Sequence, residues 1–149
     1  MNTINLEKIN KIYFAGIGGI GTSAIAKFML YNNKEVIGSE FVDSEIVTQL
    51  RKLGAKIYIG QKAENVPGNI DLFVYSPALP FNHIERKTVR KFKIPEISYS
   101  EILGLLSKNY NTIAICGTHG KSTTTAITGL VFEYGKKDPN VIVGSKLKE

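Results

Sequence analysis

The sequence predicts an α/β fold, a mostly parallel sheet flanked by helices, on three observations. Short apolar runs of strand length alternate with segments whose apolar residues recur at helical spacing. A glycine triad, Gly16, Gly18 and Gly21, joins the first such run to the first helical segment. A second pair, Gly117 and Gly120, joins a later run to another helical segment.

Residues 11–15, KIYFA, have the length and apolarity of a buried strand, and 20–31 carry the helical pattern. GIGGIG between them satisfies G-x-G-x-x-G in the strand–turn–helix context that makes the motif meaningful, which marks a Rossmann-like unit. Residues 35–38 form the next strand and end at Ser39 and Glu40. These stand about twenty residues past the last glycine, where a dinucleotide fold holds an acid against ribose hydroxyls.

Residues 44–53 fit an amphipathic helix stopped by Gly54, 56–59 a strand, 71–75 another strand, 82–92 a helix and 99–108 a helix. The runs 113–116 and 141–143 read as further strands, the latter after the turn Lys137-Asp138-Pro139-Asn140. Strands separated by helices imply right-handed crossovers and a parallel sheet. Ser76, Pro77 and Ala78 then follow a strand at the carboxyl end of the sheet, where open α/β sheets bind ligands; an ordinary proline-shaped turn fits them equally.

On the residues alone the first turn suits a ligand containing a pyrophosphate, NAD among them, because its amides and the helix N-terminus favour anions. Glycines kept only for close packing of helix on strand are the plainer alternative.

The second glycine segment reads IAICGTHGKSTTT. Gly117 and Gly120 allow a tight turn with amides aimed at phosphate oxygens. Gly117, Thr118, His119, Gly120, Lys121, Ser122 and Thr123 are the candidate ATP-binding residues. Lys121 would reach the β/γ-phosphates and the Ser122 hydroxyl would ligate Mg²⁺, which makes these two the candidate catalytic residues. The strict P-loop wants a glycine where Ile115 stands, so what remains is G-x-x-G-K-S. The reading is thus the first βα unit of a P-loop ATPase-like domain. An ATP site reached so late in the chain is expected to be incomplete, and a helix start rich in small residues with Lys121 solvated is the alternative.

At 149 residues and 43% apolar, the chain can bury a core of ordinary domain size. The polar junction Lys108-Asn109-Tyr110-Asn111 suggests a boundary, with a substrate-binding domain over 1–109 and the start of a second domain over 110–149. No membrane span or signal peptide is legible, so a cytoplasmic location is expected. The single Cys116 excludes an internal disulfide and reads as a small core residue, and His83 and His119 lack companions at zinc-ligand spacing. The net charge of +6 is dispersed; Arg86, Arg90 and Lys93 read as a solvated helix face, and no aromatic-interleaved stripe points to nucleic acid. Oligomeric state is not legible.

In order and spacing, YFAGIGGIGTSAIA, VIGSE, VYSPAL, IPEISYSEILGLL and IAICGTHGKSTTT resemble the Mur ligases over essentially the whole chain. The most specific part is the glycine run 16–21 combined with Thr118-His119-Gly120-Lys121, since family members more often carry Asn where His119 stands. The resemblance implies a three-domain cytoplasmic ligase of peptidoglycan synthesis that uses ATP and Mg²⁺ to activate a muramyl carboxylate as an acyl phosphate. It is nearest to members that join L-alanine to UDP-N-acetylmuramate. A relative that joins a whole peptide to the same UDP-sugar also has the THGK loop.

In such enzymes the first domain holds UDP rather than NAD. Gly18, Gly19, Ile20 and Gly21 would meet the diphosphate, with Ser39, Glu40, Ser76, Pro77 and Ala78 near the nucleoside and Gly16 also among the UDP-binding residues. Glu40 stands where the family more often has Asp, and Ser122 where Thr is commoner. The family's further metal-binding and adenine-contacting residues, and its C-terminal domain, lie beyond this sequence. The chain is therefore expected to bind the UDP-sugar and to be inactive alone. A noncatalytic nucleotide-sensing fragment and an NAD-binding module are the rival readings.

Overall fold

Five short strands form the frame: β1 Lys11–Ala15, β2 Glu35–Glu40, β3 Lys56–Ile59, β4 Leu72–Tyr75 and β5 Glu96–Ser98. They pair parallel throughout in the order β3-β2-β1-β4-β5. The structure, a computed structural model, describes residues 4–145. The helices are α1 Ile20–Tyr31, α2 Glu45–Lys52, α3 Ile84–Lys91, α4 Tyr99–Ser107 and α5 Lys121–Tyr134.

Strand alternation divides the core in two. Ile12 and Phe14 of β1 face a layer built with Ile25, Ala26 and Met29 of α1, Val47 and Leu50 of α2, and Ile102 and Leu106 of α4. Tyr13 and Ala15 face the other way, onto Phe73, Val66, Ile70, Leu79 and Val89 of α3. Tyr13 and Phe73 stack with ring centroids 5.4 Å apart. Burial on both faces explains why these strands read as continuous apolar runs.

Local chemistry sets the helix starts. Ser44 caps α2 by accepting from the Val47 amide, and Ser98 with Glu101 forms a reciprocal capping box at α4. Asp71 lies just before β4 and accepts from the Asn10 and Lys11 amides, which fixes the entry of β1 beside β4.

The structure corrects the following expectations. Residues 113–116 and 141–143 are not strands: neither run pairs with a strand among the described residues, and a parallel strand exists only through its ladder. Cys116 is consequently exposed rather than a core residue. Arg86 is not part of a solvated face: it is 7% exposed, pairs with Glu96 at 3.0 Å and lies 3.6 Å over the Tyr75 ring. Lys93 falls outside α3, in a left-handed conformation just after it. β5, three residues directly after Pro95, adds a strand that the periodicity does not reveal. Among the described residues, no helix is long and apolar enough to cross a membrane.

Candidate functional site

The first glycine turn lies at the carboxyl ends of β1, β2 and β4 and is stitched to both neighbours. The Gly16 and Ile17 amides donate to the Ser39 carbonyl at 2.9 and 3.1 Å, and the Ser76 amide donates to the Ala15 carbonyl at 3.1 Å. Gly16 has φ +75°, which a side chain rarely adopts, and a Cβ there would sit 3.1 Å from Ser76 Cβ. Gly16, Ser39 and Ser76, far apart in sequence, are thus brought to one edge. The first rung of α1 is the Ser23 amide on the Gly19 carbonyl. The amides of Ile20, Gly21 and Thr22 therefore lie ahead of the helical ladder, as donors for an anion.

Gly18 and Glu40 are in direct contact. The Gly18 amide donates to Glu40 Oε2 at 2.7 Å, and the Phe41 amide donates to Oε1 at 2.8 Å. Gly21 serves packing: a Cβ on it would fall 2.7 Å from the Tyr99 ring, so the third glycine lets α1 approach the start of α4.

Ser39 does not face solvent. It is fully buried, and its hydroxyl donates to Glu85 Oε2 at 2.7 Å, while the Tyr13 hydroxyl donates to Glu85 Oε1 at 2.9 Å. Glu85 is itself fully buried in the first turn of α3. Burial pushes its carboxyl above the usual carboxylate range, against the opposite pull of hydrogen bonds from Ser39, Tyr13, the Lys62 backbone and Asn65. Burial, reinforced by Glu85, drives the Tyr13 phenol far above its ordinary value. This hub escapes sequence reasoning because α3 reads as a polar helix. Its one signal is Glu85 standing four residues before the core residue Val89, on the buried stripe.

Pro77 and Ala78 are exposed, and Ser76 is half-buried beside Gly16. The segment that carries them is anchored by Arg86, whose Nη1 donates to the Leu79 carbonyl at 3.1 Å, and by Arg90, which bonds the Phe81 carbonyl. Arg86 and Arg90 share Glu96, at 3.0 and 3.2 Å. His83 occupies the N-cap position of α3 without a side-chain capping bond, and burial together with Arg86 holds its imidazole below the usual histidine range.

The second glycine segment keeps its turn and helix without the strand. Gly120, at φ +76°, is the N-cap of α5, and Gly117 has φ +153°. Lys121 Nζ folds back to donate to the Gly117 and Thr118 carbonyls at 2.8 and 3.1 Å. Thr124 on the Gly120 carbonyl is the first helical rung, which leaves the Lys121, Ser122 and Thr123 amides ahead of it. Residues 117–124 are exposed. This arrangement suits phosphate groups, and the Ser122 hydroxyl suits one position of a Mg²⁺ otherwise held by phosphate oxygens and water. Among the described residues, no three His, Cys, Asp or Glu side chains gather as a metal site.

A family model described as "Mur ligase family, catalytic domain" matches residues 11–111. A curated relative, UDP-N-acetylmuramate--L-alanine ligase of Lachnoclostridium phytofermentans, is 41% identical over 148 residues, which is 99% of this chain and 32% of the relative. The solved structure of UDP-N-acetylmuramate-alanine ligase from Thermotoga maritima superposes with TM-score 0.86 at 34% identity, over 92% of this chain and 32% of that one. UDP-N-acetylmuramate:L-alanyl-gamma-D-glutamyl-meso-diaminopimelate ligase from Neisseria meningitides follows at TM-score 0.78 and 25% identity, over 85% of this chain and 40% of its own. The chain spans about a third of the length of the curated relatives it matches.

Proposed function

The chain belongs to the Mur ligase family, and from that premise we propose that it is the UDP-substrate domain, with the opening of the ATP domain, of a ligase that joins L-alanine to UDP-N-acetylmuramate. One observation carries this reading: the 41% identity to a relative named UDP-N-acetylmuramate--L-alanine ligase is taken over 148 residues, a span that includes both glycine turns. The peptide-joining relative has the same fold and is the second reading.

The parts divide by chemistry. Residues 1–109 hold the UDP-sugar, with the amides of Gly18, Gly19, Ile20 and Gly21 on the diphosphate and Glu40, Ser76, Pro77 and Ala78 bordering the nucleoside. Gly16 shapes the turn, and Ser39, its hydroxyl bound to Glu85, positions it from beneath. Residues 110–149 begin the ATP domain. ATP with Mg²⁺, when bound, supplies the phosphoryl group that activates the muramyl carboxylate, which the L-alanine amine then attacks with release of phosphate. Lys121 would leave the Gly117 and Thr118 carbonyls for the β/γ-phosphates, and Ser122 would hold the magnesium.

Calorimetric titration tests the substrate assignment. Saturable binding of UDP-N-acetylmuramate with no response to NAD is expected; binding of NAD alone would overturn it.

Phosphoryl transfer needs several preorganised groups acting together, and the chain's relatives are about three times as long. The 149-residue chain by itself is expected to show no L-alanine-dependent phosphate release from ATP. Turnover in that assay would place the whole catalytic set within these residues.

A further inference from the structure

Resting on the reading of the first turn as a diphosphate site, we infer that Glu40 sets the affinity of that turn by serving as its built-in anion. In the ligand-free protein the Glu40 carboxylate holds the Gly18 amide, and a diphosphate reaches that amide only by displacing it.

The geometry is direct. The Gly18 amide donates to Oε2 at 2.7 Å, and a Cβ on Gly18 would fall 2.7 Å from the same oxygen and 3.1 Å from Glu40 Cγ. The carboxylate is therefore seated on the glycine rather than reaching past it. Its other oxygen is held by the Phe41 amide. None of the ion pairs among the described residues includes Glu40, and the donors to its two carboxylate oxygens are backbone amides. The half-buried side chain thus sits on the turn itself, on the amide two residues before those of Ile20 and Gly21, which lie ahead of the helical ladder. A diphosphate entering there meets a like charge at short range, in surroundings that screen it less than bulk water does. A ribose hydroxyl, in contrast, is a donor that a carboxylate welcomes.

UDP and uridine separate these effects. In Glu40→Gln, which keeps the shape and an acceptor for Gly18 while removing the charge, UDP is expected to bind about three- to tenfold more tightly. Uridine should gain no affinity, because it carries no charge for the carboxylate to repel. Glu40→Ala, which also empties the Gly18 amide, should shift UDP the same way, and thermal unfolding of both variants checks that the fold is retained. Joint weakening of UDP and uridine would show the carboxylate holding the ribose and would overturn the inference, as would an unchanged UDP affinity. Absence of UDP and UDP-N-acetylmuramate binding in wild type and variants alike would instead sink the diphosphate reading, and this inference with it.

Discussion

Gly38→Ala is expected to destabilise the protein by about 3 kcal/mol, lowering Tm by roughly 6 to 12 °C. Gly38 pairs with Phe14 in the middle of the sheet, and an added Cβ would lie 2.7 Å from the Phe14 carbonyl oxygen, 2.8 Å from Ile17 Cδ1 and 3.0 Å from Ile17 Cβ. A flexible side chain can yield to such contact, but the carbonyl belongs to the central strand, and Ile17 is fully buried at the glycine turn. The strain therefore passes into β1 and the turn it feeds. Urea denaturation should show a lower midpoint with an unchanged slope. Gly104→Ala in α4 is the contrast: no atom lies within 4 Å of its added Cβ, so the change should be neutral or stabilising by up to about 1 kcal/mol.

Glu85→Ala should cost about 3 kcal/mol, because it leaves the buried Tyr13 and Ser39 hydroxyls without their acceptor and opens a cavity. Glu85→Gln keeps the volume and an acceptor for Tyr13, and its cost should stay below about 1 kcal/mol near neutral pH. The pH dependence distinguishes the two protonation states. The folded-state carboxyl is raised above its ordinary value of 4.5, mainly by burial, so the folded chain holds that proton more tightly than the unfolded chain. Its stabilising contribution is full below 4.5 and is lost as pH rises through the folded value. Denaturation midpoints across that window should fall with pH in wild type, and this component of the slope should vanish in Glu85→Gln. An identical slope in both would remove Glu85 as its source.

Features written in local pattern were legible. Strands 11–15 and 56–59 stand where the apolar runs put them, and α1 occupies residues 20–31 as its spacing requires. The gathering of Gly16, Gly18, Glu40 and Ser76 at one sheet edge follows from the parallel order that the crossovers impose. Features that depend on partners were not legible. The apolar run 113–116 has β composition but no neighbouring strand among the described residues to complete a ladder, so composition alone misleads there. Arg86 has the sequence context of a surface cation and is buried only because Tyr75 and Glu96 come to meet it. Ser39 lies at the expected position, yet its side chain direction is set by Glu85, 46 residues away. Whether a polar group faces a ligand or a hidden partner is decided by the opposite face of the sheet, which the strand's own residues do not encode.

The exposure of Cys116 has a practical side. It is the chain's single thiol, and it immediately precedes Gly117 and the turn that Lys121 closes on itself. A thiol-reactive dye would therefore attach at one place only, next to the loop proposed above to receive ATP. The natural sequence thus provides a fluorescent reporter position, so loop opening can be followed by emission without engineering a cysteine elsewhere.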